Sequence, residues 1–124
     1  MKWNHVGIKS SNVDRSLDFY CKMLGLRLID QAEILGKKFI FVGNDSISIE
    51  IEQCNPSDTQ ANASAMTGLN HISLTIEEDI HACVKRLKEL NAKIVLEPLS
   101  PRPDRMVSFI EDPDGVLIQL IMYV

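Results

Sequence analysis

The sequence predicts an α+β fold built from two copies of a β-α-β-β-β module, and three observations predict it. Asn4-His5-Val6-Gly7-Ile8 returns as Asn70-His71-Ile72-Ser73-Leu74, with the histidines 66 residues apart (71 − 5) in a chain of 124. Self-similarity over such a span means that one supersecondary unit has been used twice. A helical apolar stripe follows each copy and ends on a residue suited to a left-handed cap, Gly25 and then Asn91. Three extended runs separated by turn residues follow each stripe, which makes about eight strands and two helices.

In the first copy, residues 3–8 alternate as a strand does, with Trp3, His5 and Gly7 on one side and Asn4, Val6 and Ile8 on the other. Ser10-Ser11-Asn12 offers N-cap oxygens, and Ser11-x-x-Asp14 resembles a capping box. Val13, Leu17, Tyr20 and Leu24 share one helical face. Runs near 26–34, 37–43 and 46–53 read as strands, with Gly36 and Gly43-Asn44-Asp45 as turns. Residues 54–67 are small and polar and have no period, so they read as a linker. The second copy repeats the order. Residues 69–76 alternate, Thr75-x-x-Glu78 is a capping box, and Ile80, Cys83, Val84, Leu87 and Leu90 form a helix face. Extended runs follow near 93–97, 105–111 and 116–123, the last two joined by the turn Asp112-Pro113-Asp114-Gly115. The expected organisation is a single domain over 1–124, with module 1 at 1–53, the linker at 54–67 and module 2 at 68–124.

Composition narrows the function. Hydrophobic residues make up 45% and charged residues 24%, as in soluble globular proteins. A net charge of −4 argues against nucleic acid, whose phosphates call for basic surface, but leaves room for a small anion held by a local basic group. No apolar run approaches a membrane span and the N-terminus has no apolar signal segment, so no membrane partner and a cytoplasmic location are expected. Cys21, Cys54 and Cys83 are odd in number and lack metal-type spacing, so they read as reduced thiols.

Each copy's last strand carries one polar residue in an apolar run. It is Glu50 within Ile47-Ser48-Ile49-Glu50-Ile51, and Gln119 within Val116-Leu117-Ile118-Gln119-Leu120-Ile121. Period 2 puts Ile47, Ile49 and Ile51 toward the core and Ser48, Glu50 and Glu52 on the other face. Taken alone, a strand histidine is most often structural and a strand glutamate solvated. Two of only three histidines at equivalent places in a repeat, each joined by an oxygen donor at an equivalent place, point instead to a divalent metal. His5, Glu50, His71 and Gln119 form an N, N, O, O set suited to Ni, Zn, Co, Mn or Fe, with positions left for water or substrate.

These residues bring a family into view. His5 opens the first strand. Asp14-Arg15-Ser16-Leu17-Asp18-Phe19-Tyr20 leads to Leu24-Gly25-Leu26. Gly68-x-x-His71 and Phe109-Ile110-Glu111-Asp112-Pro113-Asp114-Gly115 follow. As a set they resemble the vicinal oxygen chelate superfamily, the glyoxalase / bleomycin resistance / extradiol dioxygenase group, over nearly the whole chain. The resemblance implies paired βαβββ modules in a curved, cup-like eight-stranded mixed sheet, a metal in the shared cleft, and a homodimer with sites often built across its interface. Among members the residues are most similar to metal-dependent glyoxalase I (lactoylglutathione lyase), whose metal ligands fall on His5, Glu50, His71 and Gln119. The fourth place departs from the bacterial enzyme, which has glutamate there; methylmalonyl-CoA epimerases carry glutamine. An amide is no base at neutral pH, so Glu50 becomes the expected catalytic base and Glu52 the second choice.

The activity implied is a metal-dependent lyase or isomerase reaction, with proton transfer through a metal-bound enediolate. Its small-molecule substrate is a 2-oxoaldehyde–thiol adduct or a relative of one. Lys9 lies where glyoxalase I commonly has an arginine for a glutathione carboxylate. Arg102 and Arg105 are candidates to grip a carboxylate or phosphate. Trp3 shares the face of His5 and is a candidate pocket wall. The glycine-rich basic loop of typical glyoxalase I is absent, so the resemblance does not specify glutathione as the thiol. The alternatives are an epimerase or Fe(II) dioxygenase of the same superfamily, or a non-catalytic drug-binding protein of the bleomycin-resistance kind. A dioxygenase needs a carboxylate where Gln119 stands, and a drug-binding protein needs no His5, Glu50 and His71 together.

Overall fold

A computed structural model describes residues 4–34, 36–55 and 69–124. The chain divides into two compact units, Met1–Ser64 and Ala65–Val124, and each runs β-α-β-β-β. In the first unit β1 (Val6–Ser10) leads to α1 (Val13–Leu17), which continues as a π-helical segment (Asp18–Met23). Then come β2 (Arg27–Ile34), β3 (Lys37–Gly43) and β4 (Ser48–Gln53). The sheet order is β1-β4-β3-β2, with β1 parallel to β4 and the other pairs antiparallel. The second unit has β5 (Ile72–Thr75), α2 (Ile80–Glu89), β6 (Lys93–Arg102), β7 (Arg105–Glu111) and β8 (Leu117–Tyr123), ordered β5-β8-β7-β6 with the same strand directions. The predicted α+β class is therefore observed, as two four-stranded mixed sheets.

Each unit buries one face of its sheet under its helix. Ile40, Val42, Ile49 and Ile51 are buried with Val13, Phe19 and Tyr20 in the first core, and Ile110, Ile118 and Leu120 with Ile80, Val84 and Leu87 in the second. Period 2 along β4 and β8 then forces Glu50 and Gln119 onto the opposite faces. The buried end of β1 is tied to α1 by a 2.6 Å hydrogen bond between the Ser10 and Ser16 hydroxyls. Gln53 adds to this, accepting from the Val13 N–H and donating to the Ser11 carbonyl. The Asp112-to-Gly115 turn forms as expected, with Asp112 Oδ1 accepting from the Asp114 and Val116 N–H groups at 2.8 Å each and Gly115 at φ 87°.

Local details differ from the expectations. Neither capping box forms. Asn12 caps α1, its Oδ1 accepting from the Arg15 N–H at 3.1 Å, and Asp79 caps α2 by accepting from the Ala82 N–H at 3.0 Å. An Asn or Asp directly before the first buried helical residue reaches that amide, while Thr75 is still inside β5 and Glu78 pairs with Arg86. The buried side of the first helix is Val13, Ser16, Phe19 and Tyr20 rather than the expected stripe, with Leu17 and Leu24 only half-buried. The π segment winds more residues into each turn and so brings both aromatic residues inward. Leu90 is exposed because α2 has ended and Asn91 takes φ 65°. β1 and β5 start after the histidines, at Val6 and Ile72. β6 extends to Arg102 despite Pro98 and Pro101, since it is an edge strand with three register shifts, where a missing N–H is tolerated. The expected linker lies outside the described residues except Cys54 and Asn55; the Cys54 N–H bonds the Ser10 carbonyl at 2.8 Å.

Cys21, Cys54 and Cys83 are unpaired thiols. Burial, helped by nearby Glu78, pushes the Cys83 thiol up to about 11. Only the thiolate is alkylated, so iodoacetamide at neutral pH is expected to modify Cys83 about 100-fold more slowly in the folded chain than in urea. Timed mass spectrometry checks this; equal rates in the two conditions would contradict the burial.

Candidate functional site

His5 stands immediately before β1, beside the exposed rung where Gly7 faces Glu50 across the parallel pair. Its Nε2 lies 3.4 Å from Glu50 Oε2, and both side chains are partly open to solvent. Its Nδ1 bonds Asn4 Oδ1 at 2.5 Å. The imidazole also meets the Phe41 ring edge-to-face, with centroids 5.5 Å apart at 83°. Phe41 is the register partner of Glu50 from β3, so β4 and β3 each place one member of the cluster beside the histidine that precedes β1.

The second unit repeats this arrangement. His71 stands immediately before β5, and its Nδ1 bonds Asn70 Oδ1 at 2.7 Å. It meets Phe109 edge-to-face at 5.5 Å and 89°. Phe109 is the register partner of Gln119. Where the first copy has Gly7, the second has Ser73, whose hydroxyl donates to Gln119 Oε1 at 2.9 Å. This bond fixes the amide and leaves Oε1 a second lone pair.

The first pair passes a simple test for a shared cation. Two donors about 2.1 Å from one ion, at about 90–110° to each other, are about 3.0–3.4 Å apart. The 3.4 Å from His5 Nε2 to Glu50 Oε2 meets that, and imidazole with carboxylate is a borderline donor set of the kind nickel, cobalt, iron and zinc accept. Among the described residues no three His, Cys, Asp or Glu side chains gather at one point; His5 and Glu50 belong to the first unit, His71 and Gln119 to the second.

The remaining candidates fall as follows. Lys9 shares the open face with His5 and Gly7, in register with Glu52. Arg102 is exposed at the end of β6. Arg105 is engaged, donating through Nε and Nη2 to Asp104 at 2.9 and 2.8 Å and lying 5.1 Å over the Tyr123 ring. That guanidinium holds the Asp104 carboxyl below the usual range. Trp3 lies outside the described residues. Phe41 and Phe109 were missed by the sequence reading. Their signal is an aromatic at the matching place in the third strand of each copy, legible only once the strands are paired.

Comparison with known proteins finds relatives over nearly the whole chain. The model of the Glyoxalase/Bleomycin resistance protein/Dioxygenase superfamily matches residues 2–120. A Synechocystis protein named probable lactoylglutathione lyase is 30% identical over 122 residues, covering 94% of this chain and 92% of that one. A Dictyostelium discoideum protein named methylmalonyl-CoA epimerase, mitochondrial, is 29% identical over 133 residues, covering 96% of this chain and 76% of that one. The solved structure of a glyoxalase family protein from Bacillus cereus superposes with a TM-score of 0.82 at 22% identity, covering 100% of this chain and 95% of that one, a likeness of fold. Among the described residues no helix is long and apolar enough to cross a membrane.

Proposed function

The chain belongs to the glyoxalase/bleomycin resistance protein/dioxygenase superfamily, and on that premise we propose that it is a metal-dependent lyase or isomerase of the glyoxalase I kind. It would move a proton next to the carbonyl of a 2-oxoaldehyde–thiol adduct or a related small molecule in the cytoplasm. The observation that carries this reading is the 3.4 Å pairing of His5 Nε2 with Glu50 Oε2; His71 and Gln119 occupy the equivalent sequence positions of the second copy. His5, Glu50, His71 and Gln119 are the proposed ligands of one divalent ion, and the chain is proposed to form a homodimer, the common assembly of glyoxalase-fold proteins. Such an ion supplies Lewis acidity, withdrawing charge from two adjacent substrate oxygens.

The chain's own groups supply the rest. Glu50 is the one carboxylate among the four. Its oxygen takes the proton from the carbon bearing sulfur and returns it to the neighbouring carbon, converting a thiol hemiacetal of a 2-oxoaldehyde into a 2-hydroxy thioester. Glu52, two residues on and on the same face, is the reserve base. Gln119 holds no exchangeable acid proton and acts as a fixed neutral donor, steadied by Ser73. Lys9, on the face of Glu50, and Arg102 would draw the anionic end of a substrate. One observation favours a second reading: an amide at position 119, as in epimerases of the family, suits epimerisation of a 2-acyl thioester by the same proton abstraction.

Metal-stripped protein reloaded in turn with Ni, Co, Mn and Zn tests the proposal. The expected result is uptake of a single ion per site, with deuterium from heavy water entering the carbon next to the carbonyl. Thioester formation from hemithioacetals identifies the lyase, and exchange on a 2-acyl thioester identifies the epimerase. Uptake well below one ion with every metal, without exchange and with tight binding of a cationic drug, would establish the non-catalytic alternative.

A further inference from the structure

Asn4 and Asn70 take no part in the chemistry above, yet each touches a proposed ligand in the same way. Asn4 Oδ1 meets His5 Nδ1, and Asn70 Oδ1 meets His71 Nδ1 at 2.7 Å. Neighbours within a strand point to opposite faces. These pairs lie just ahead of β1 and β5, where the alternation does not hold, so adjacent side chains can meet. An amide oxygen only accepts hydrogen bonds. With the amide oxygens so placed, each contact is a hydrogen bond when the imidazole hydrogen sits on Nδ1, which leaves Nε2 its lone pair; at His5 the Glu50 carboxylate, 3.4 Å from Nε2, is the competing acceptor that the Asn4 contact must outweigh. A free neutral histidine prefers the opposite tautomer, with the hydrogen on Nε2. Phe41 and Phe109, edge-to-face at 5.5 Å, constrain the tilt of each ring. The same triad of Asn, His and Phe occurs once in each compact unit, so the arrangement is observed twice.

We propose that Asn4 and Asn70 are positioning residues that lock His5 and His71 in the Nδ1–H tautomer and so aim both Nε2 lone pairs at the site. The consequence for metal binding rests on the proposed function; the tautomer itself does not. Partners of a ligating histidine's second nitrogen typically change metal affinity about 10- to 100-fold.

The test uses the metal-free full chain, labelled with nitrogen-15 and held at about pH 8, where an unperturbed imidazole is neutral. Long-range proton–nitrogen correlation reads each ring's tautomer, and His81, exposed on α2, reports an unconstrained ring. His5 and His71 are expected in the Nδ1–H form. Asn4→Ala is expected to return only His5 to the pattern of His81, and Asn70→Ala only His71. Asn4→Asp and Asn70→Asp keep an acceptor and are expected to restore the Nδ1–H form. Zinc titration of the alanine variants is expected to show affinity reduced about 10- to 100-fold. Both asparagines are exposed, so these changes leave the cores filled. Unchanged tautomers in both alanine variants would overturn the proposal whatever the metal does. Altered tautomers with zinc affinity equal to the parent would overturn the aiming of Nε2. A parent that shows the Nδ1–H form but binds no metal would sink the proposed function and leave the tautomer assignment standing.

Discussion

Glu50→Gln is expected to lower turnover about 100- to 10,000-fold while leaving the fold intact. The substitution keeps the shape of a side chain whose neighbours are known. Glu50 sits on the open face of β4, between the buried Ile49 and Ile51, with His5 Nε2 at 3.4 Å and Phe41 opposite it in register. Those isoleucines anchor the strand whatever occupies the open face, so the loss of activity would come from chemistry. Two things vanish together: the only negative charge among the four proposed donors and the only group among them able to take a proton. Glu52→Gln is the control. It shares the face one rung further on, opposite Lys9, and should cost less than about 10-fold if Glu52 is only the reserve base. Gln119→Glu is the complementary arm, because Ser73 donates to a carboxylate as readily as to an amide, and the change gives the second half the base it lacks. Turnover and deuterium incorporation, measured with metal loading matched across the variants, decide the matter. Turnover of Glu50→Gln within about 3-fold of the parent would remove Glu50 from the role of base.

The contrast between Glu50 and Phe41 shows what a sequence of this kind discloses. Glu50 could be placed because burial on one face forces period 2, and Ile47, Ile49 and Ile51 write that period into adjacent letters. The α2 face of Ile80, Cys83, Val84 and Leu87 was legible for the same reason, as was Asn91, whose φ of 65° few other side chains accept. Phe41 meets His5 only because β3 pairs with β4 in one register, and no local pattern encodes a pairing between distant strands. Asn12 caps α1 as one of the three expected oxygens, and the capping boxes fail through competition among neighbours: Ser11, Asn12 and Asp14 all carry oxygen acceptors, and the start of the buried stripe decides which of them meets a free N–H. The π segment is a tertiary outcome, since burying both Phe19 and Tyr20 is incompatible with the period the sequence pattern assumes. Asn4 and Asn70 were visible from the start as part of the repeated motif, but their use appears only with the histidine Nδ1 contacts.

Gly43→Ala is expected to destabilise the chain by about 3–5 kcal/mol, more than an exposed strand substitution costs. A Cβ at Gly43 would stand 2.0 Å from the Ile47 carbonyl oxygen, 3.0 Å from its carbon and 3.1 Å from Ile29 Cδ1. The isoleucine side chain can turn aside, but the carbonyl is held. It accepts the Asn44 N–H at 3.0 Å, while Asn44 Oδ1 accepts from the Ser46 and Ile47 N–H groups at 2.8 and 3.1 Å. Relief therefore requires opening the turn between β3 and β4, where Gly43 pairs with Ser48. Glu50 lies two residues beyond Ser48 on the same face, so movement there would carry the proposed base with it. Gly7 provides the comparison within the same sheet: a Cβ there meets nothing within 4 Å, and Gly7→Ala should stay within about 1 kcal/mol of the parent. Urea unfolding of the two variants separates backbone crowding from the general effect of removing a strand glycine. The expectation fails if Gly43→Ala unfolds within about 1 kcal/mol of the parent, because the Asn44 turn would then be loose enough to yield, and the placement of Glu50 would rest on the Ile49 and Ile51 anchors alone.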